Sequence, residues 1–180
     1  MNLKESINLL KKAGCSKDVV EHCLAVFGFA MYLAAKMLIN GHEIDIDTVA
    51  LGSLLHDIGR SVTHSIEHAY IGADMLRKQG IDEKIVRVVE RHIGAGITPD
   101  EAKKLGLPQR NYVPETLEEK VVCYADKFIM YNRLGTLTEV LNIFRKELGE
   151  NHPVIKRFLK LHKEMKKLIG NDPIFSILEK

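Results

Sequence analysis

A chain of 180 residues with 46% hydrophobic and 28% charged residues has the balance of a globular domain and enough length to bury a substantial core. A formal net charge of +2 gives no sign of a nucleic-acid footprint or a membrane-adsorbing surface. Three scattered cysteines, Cys15, Cys23 and Cys123, form no C-x-x-C pair and read as reduced thiols of a cytoplasmic protein.

The elements are helices almost throughout. The opening stretch, MNLKESINLLKKAG, is amphipathic and interrupted by charges, unlike a signal peptide, and predicts a helix over roughly 3–13 that stops at Gly14. Ser16 can cap a long second helix that runs to Asn40-Gly41. Its apolar run from residue 23 reaches only thirteen residues before Lys36, short of the about 20 that a membrane span needs, and predicts a buried core helix. HEIDIDTV alternates with period two, but its aspartates suit a turn and helix start better than a strand. Asp45 or Asp47 therefore opens a third helix, which carries Val49, Leu51, Leu54 and Leu55 and ends near Ile58-Gly59.

After a loop, a helix is expected from about 66 to 79, and Asp82 caps the next, EKIVRVVERHI, which ends at Gly94. TPDE at 98–101 is a capping box with proline in the first turn and starts a short helix running to Gly106; GLPQRNYVPE is a loop. TLEE at 116–119 is a second capping box and starts the helix holding KVVCYADKFIMYNR; Thr136 and Glu139 repeat the signal. Pro153 starts a long amphipathic helix with Val154, Phe158, Leu161, Met165 and Leu168 on one stripe, and Asp172-Pro173 a last short one. The expected product is an all-α, compact single domain: a leading helix at 1–15, a core at 16–135, and C-terminal helices at 136–180 packed on the same domain. The stripe on the long C-terminal helix could instead pack on a second copy, so the chain is expected as a monomer or homodimer.

Costly polar residues fall on the apolar faces of these helices. His22 is in register with Val26, Phe29 and Leu33, which points it at the core. Asp126 is flanked on its own face by Val122 and Ile129; His56 and Asp57 follow the apolar run Ser53-Leu54-Leu55. His92 ends a helix after Val88 and Val89, and His68 has Gly72 four residues on, small enough to admit a close neighbour. Each alone has an ordinary reading as a hydrogen-bonded core residue, an ion-pair partner or a helix-end residue. Together they are expensive to bury unless paired or metal-bound, and one divalent cation would satisfy several at once. An aspartate–histidine set without thiolates suits Mn, Fe, Co, Ni or Zn.

The order His22, His56-Asp57, then Asp126 in YADKF resembles the H…HD…D pattern of the HD-domain metal-dependent phosphohydrolase superfamily, over roughly residues 18–133. LLHDIGR is similar to its most characteristic segment, with Arg60 where a lysine is often found. EHAYIGADML and VVERHIGAG resemble the branch that adds histidines for a second metal, including bacterial diadenosine tetraphosphate hydrolases of the YqeK type. The chain lacks the adjacent His-His pair some members carry at His92. It also holds an insertion, TPDEAKKLGLPQRNYVPETLEE, similar to a small archaeal-type group of uncharacterised HD proteins.

The resemblance implies a metal-dependent phosphohydrolase acting through a metal-activated water on a nucleotide or related phosphoester or phosphoanhydride. It implies that His22, His56, Asp57 and Asp126 hold a first metal and that His68 and His92 support a second bridged by Asp57. Asp57 and Arg60 would be catalytic, and Arg60 and Arg133 would contact substrate phosphate. Arg91 and Lys127 read as solvated helix surface. The partner is expected to be a small phosphorylated molecule, with no nucleic acid and no membrane. Two other readings stay open: a regulatory module that binds metal and nucleotide without turnover, and a helical interaction domain whose histidines are incidental.

Overall fold

The protein is described here as a computed structural model covering residues 1–131 and 133–180. The chain folds into α1 (Leu3–Ala13), α2 (Lys17–Ile39), α3 (Ile46–Leu55), a 3-10 turn (Ile58–Ser61), α4 (His68–Lys78), α5 (Glu83–Glu90), α6 (Pro99–Lys104) and α7 (Leu117–Phe128). A two-stranded hairpin follows, β1 (Ile129–Met130) with β2 (Arg133–Leu134), and then α8 (Leu137–Leu148), α9 (Pro153–Ile169) and α10 (Ile174–Leu178).

Local chemistry accounts for most of the boundaries. Side chains of Ser16, Asp45 and Asp82 accept from backbone N–H groups of the first turns of α2, α3 and α5. Thr98, Thr116 and Thr136 form reciprocal capping boxes with Glu101, Glu119 and Glu139. Asn2 makes a fourth box with Glu5, and Gly14 ends α1 in the left-handed conformation.

Several helices are shorter than their hydrophobic pattern suggests. α3 stops at Leu55, three residues before the expected Ile58, and α5 stops at Glu90 rather than near Gly94. The helix expected to run through KVVCYADKFIMYNR ends at Phe128 and turns into the hairpin. There the Gly135 N–H bonds the Phe128 carbonyl, so a returning strand, not another helical turn, satisfies the helix end. Tyr131 sits at the tip with φ 54, and Asn132 lies outside the described residues.

The helices close around two apolar clusters. One joins α2 to α7, α8, α9 and α10 through Leu33, Phe128, Phe144, Phe158 and Met165. The other joins α1, α3, α4 and α5 through Leu10, Leu55, Ile58, Leu76 and Val89. α2 is long and apolar enough to cross a membrane, contrary to the count of its apolar run. In this fold it is a core helix, with Cys23, Val26, Ala30, Leu33, Ala34 and Met37 fully buried. The stripe on α9 packs inward on the same cluster. His162 lies inside, between the Tyr124 hydroxyl and Glu179.

The 3-10 turn and α4 meet backbone to backbone. A Cβ on Gly59 would lie 2.0 Å from the His68 carbonyl oxygen, and one on Gly72 would lie 3.0 Å from the Gly59 nitrogen. The insertion at 98–119 is pinned by charge: Arg110 reaches Asp74 and Glu90, Arg91 reaches Glu115 and Glu119, and Arg157 reaches Glu101.

Gly59→Ala should lower stability by about 2 kcal/mol or more, a fall in Tm of several degrees in a thermal melt, because the contact it meets is backbone. Glu90 supplies a pH signature. Burial works to raise its pKa, but Arg77 and Arg110 outweigh it and hold the carboxyl below its ordinary value of 4.5. A depressed folded-state pKa adds stability that is present above the unfolded value and is lost as pH falls through the folded one. Tm should therefore drop as pH is lowered below about 4.5, and this part of the loss should be absent from melts of Glu90→Gln.

Candidate metal centre

Six polar side chains from separate segments converge between α2, α3, α4, α5 and α7. His22 comes from the second turn of α2, and Asp126 from the last turn of α7. His56 is the residue at which α3 ends and Asp57 the next; they are 0% and 3% exposed. His68 opens α4, and His92 stands in the turn after α5; both are buried.

The Asp57 carboxylate lies between two groups of ligand-type atoms. Its Oδ2 is 3.9 Å from His22 Nε2 and 3.7 Å from His56 Nε2. Asp126 Oδ1 joins that group, 2.9 Å from His22 Nε2 and 3.5 Å from His56 Nε2. The other oxygen, Oδ1, is 3.0 Å from His68 Nε2 and 3.5 Å from His92 Nε2, and those two nitrogens are 3.0 Å apart. Two sets have ligand atoms all within 4.8 Å of one another: His22 with His56 and Asp126, and His56 with Asp57 and His92.

Hydrogen bonding leaves this cluster short of donors. Nδ1 of His56, His68 and His92 lies 2.7, 2.6 and 2.6 Å from the carbonyl oxygens of Ser53, Ser65 and Val89. A carbonyl only accepts, so each Nδ1 carries the proton and donates it, and each neutral ring presents a bare lone pair at Nε2. Those lone pairs face each other and the carboxylates. His56 Nε2 and Asp57 Oδ1 are buried and have no hydrogen-bond partner among the described residues. Orphaned acceptors at the centre of a set of acceptors fit a bound cation, and the imidazole–carboxylate donors suit a divalent transition metal.

The charge balance agrees. Burial works to raise both carboxyls. Even so, Asp57 is held well below the carboxylate range by His56, His68 and His92, and Asp126 by Lys127, His22 and His56. Burial pushes His92 down to about 4, so its ring is neutral near pH 7 and in ligand form. His56 goes the other way: burial opposes its charge, but Asp57 raises its pKa well above the ordinary histidine value, so its Nε2 attracts positive charge, a proton or a cation that would take the proton's place.

Two cations border the cluster. Arg60 Nε donates to Asp57 Oδ2 at 2.6 Å from the 3-10 turn. Lys127 Nζ donates to Asp126 Oδ2 at 2.5 Å and is mostly buried. Sequence reasoning passed over Lys127 because charged residues on helices are usually solvated surface; its place in the last turn of α7 and its flexible stem let Nζ fold back onto Asp126. Arg133 is not brought into the cluster. Its side chain is 59% exposed and held by Glu139, although it borders a hollow shared with Lys127 and Asp126. Arg91 is committed to Glu115 and Glu119.

Residues 19–131 match the HD domain family. The chain belongs to that family. It is 49% identical, over 94% of its length and 99% of the relative's, to an uncharacterised protein of Methanocaldococcus jannaschii. It is 43% identical over 92% of its length to a tRNA (cytidine(56)-2'-O)-methyltransferase of Thermoplasma volcanium, but spans only 47% of that protein. Ribonuclease Y of Salinispora arenicola matches 73% of the chain at 28% identity, over 19% of its own length. Among solved structures, the HD domain of the Listeria monocytogenes phosphodiesterase PgpH superposes with a TM-score of 0.54 at 17% identity, covering 89% of this chain and 95% of that one. That domain has also been solved with cyclic-di-AMP. At this identity the likeness establishes the helical HD fold.

Protein purified without chelator should carry divalent metal by elemental analysis. Asp57→Ala should lose most of it while the far-ultraviolet circular dichroism stays near the parent's, because both orphaned groups of acceptors meet at that carboxylate. His68→Ala and His92→Ala should lower the stoichiometry by about half and leave the ion at His22, His56 and Asp126.

Proposed function

We propose that this HD-domain protein is a metal-dependent phosphohydrolase that cleaves a phosphoester or phosphoanhydride of a small molecule of the nucleotide class. The observation that carries the reading is the Asp57 carboxylate, set with one oxygen toward His22, His56 and Asp126 and the other toward His68 and His92. In this reading His22, His56, Asp57 and Asp126 hold one ion and Asp57, His68 and His92 a second. A divalent ion bound there supplies Lewis-acid chemistry, lowering the pKa of water toward neutrality and offsetting charge on phosphoryl oxygens.

The protein's own groups do the rest. The Nδ1–H bonds of His56, His68 and His92 fix ring orientation and leave Nε2 as the nitrogen that can ligate. Arg60, forked and always charged, can turn one N–H pair to a phosphate while Nε stays on Asp57. Lys127 adds a second cation beside Asp126, and both face hollows that open to solvent. Arg60 and Lys127 are thus assigned to phosphate binding, with Arg133 outside that pair. PgpH, a phosphodiesterase of the same fold, supports hydrolysis of a phosphoester as the reaction class.

A second reading draws on a specific observation. A segment 43% identical to this chain forms about half of the Thermoplasma volcanium tRNA methyltransferase, which favours a metal- and nucleotide-binding module without turnover.

Incubation of the Mn²⁺-loaded protein with a panel of nucleotides and simple phosphomonoesters decides between them. Release of phosphate is expected, with Asp57→Asn slower by on the order of 100-fold or more. Arg60→Gln and Lys127→Gln should each lower kcat/KM by about 10- to 100-fold, the worth of one charge-assisted hydrogen bond, with metal content kept. Intact nucleotide after long incubation, bound but unchanged, would establish the regulatory module instead.

A further inference from the structure

Among the hollows beside the metal cluster, two differ in chemistry. One, about 570 Å³, is bordered by Asp18, Glu21, His22 and Asp57 together with Arg60 and His64, and carries more acidic than basic side chains. The other, about 470 Å³, begins at Arg60, His68 and Lys127 and extends away between the turn after α5, α6, α8 and α9. Its far walls are mainly aliphatic, although Lys104, Glu147, His152 and the ion pair of Arg157 with Glu101 also border it. Ile66, Leu105, Ile143 and Leu148 line it, and these are among the most exposed large hydrophobic residues of the protein, at 40 to 53%. They come from separate segments: the loop before α4, the end of α6, and two turns of α8. Exposed apolar side chains scattered singly need no explanation, but four that converge on one cavity beside a candidate reaction centre do. Ile143, Leu148 and Val154 also lie beyond residue 131, where the match to the HD family ends, so this part of the wall is added by the chain after the matched segment.

We propose that this cavity is the specificity pocket of the same site and takes one aromatic ring system carried on a phosphate. The inference rests on the phosphohydrolase reading for the phosphate end and deepens it at the other. The end at the metal cluster carries Arg60, Lys127 and His68; the far end is mainly aliphatic, with its Glu101 carboxylate already paired to Arg157. An anionic phosphate joined to an apolar, planar group matches that arrangement better than it matches the more acidic hollow. The volume lies in the lower half of the range for small-molecule sites, about 300–1,000 Å³, and suits one base with its sugar rather than two. The pocket therefore selects a compact phosphomonoester over a dinucleoside polyphosphate.

The absence of tryptophan makes the test direct, because naphthalene fluorescence can be read at longer wavelength than the emission of the five tyrosines. The probes are 1-naphthylmethylphosphonate, which cannot be hydrolysed at the phosphorus–carbon bond, and methylphosphonate as a ringless competitor, both titrated onto the Mn²⁺-loaded full chain. The naphthyl compound should bind at least about tenfold more tightly. Leu105→Asn with Leu148→Asn, both on exposed positions and neutral in charge, should reduce that preference to roughly twofold. Leu38→Asn, as exposed but at the far end of α2, should leave it intact. Equal binding of the two phosphonates, failure of both to bind, or a preference that survives the double substitution would each overturn the pocket. A preference abolished by the double substitution, in a protein that leaves naphthyl phosphate uncleaved, would uphold the pocket and sink only the hydrolase reading.

Discussion

The structure turns on a shortage of protons. Around Asp57, imidazole nitrogens and carboxylate oxygens face one another, and three of the histidines have committed their Nδ1 protons to backbone carbonyls. An arrangement of acceptors alone is unstable in a buried setting unless positive charge is present. Lys127 and Arg60 provide some of it at the edge, through Asp126 and Asp57. The centre, where His56 Nε2 and Asp57 Oδ1 have no hydrogen-bond partner among the described residues, calls for a cation.

One local device is used three times to create that shortage. His56, His68 and His92 each reach back to the carbonyl three residues earlier. The Ser53 and Val89 carbonyls are open because a helix has stopped, α3 at Leu55 and α5 at Glu90, while the Ser65 carbonyl, ahead of α4, takes the His68 backbone N–H as well. The early ends of α3 and α5 are thus part of the site. Had either helix continued, its carbonyl would have been taken by the backbone, and the imidazole would have lost the partner that sets its tautomer. Gly59 and Gly72 complete the device by letting the turn after Asp57 and the first turns of α4 touch along the backbone, which brings His68 against Asp57.

The insertion and the segments that follow the family match do a different task. The insertion at 98–119 is clamped through Arg110, Arg91 and Arg157 to α4, α5, α7 and α9, while α8 and the start of α9 supply apolar side chains beside the cluster. The metal-binding core and the wall that would choose a substrate are therefore built from different parts of the chain. This separation is consistent with one fold serving relatives as different as a phosphodiesterase and a segment of a tRNA methyltransferase.

Much of this was legible in the amino-acid order, because capping and amphipathic period are local. The threonine–glutamate boxes at Thr98, Thr116 and Thr136 set real helix starts, and the face shared by His22, Val26 and Leu33 turned inward as its period required. The spacing of His22, His56-Asp57 and Asp126 carried the family. What the order could not contain was distance. The chain announces neither that α3 stops at Leu55 nor that the α7 helix yields to a hairpin at Ile129, because a helical pattern can run on past the point where tertiary contacts break it. Nor does it separate Lys127, folded onto Asp126, from Arg133, bound to Glu139, since flexible cations go wherever the nearest carboxylate stands. Sequence determined which residues face inward and which helices carry them; only the packing of those helices decided that their lone pairs meet, because that depends on approach between segments up to a hundred residues apart.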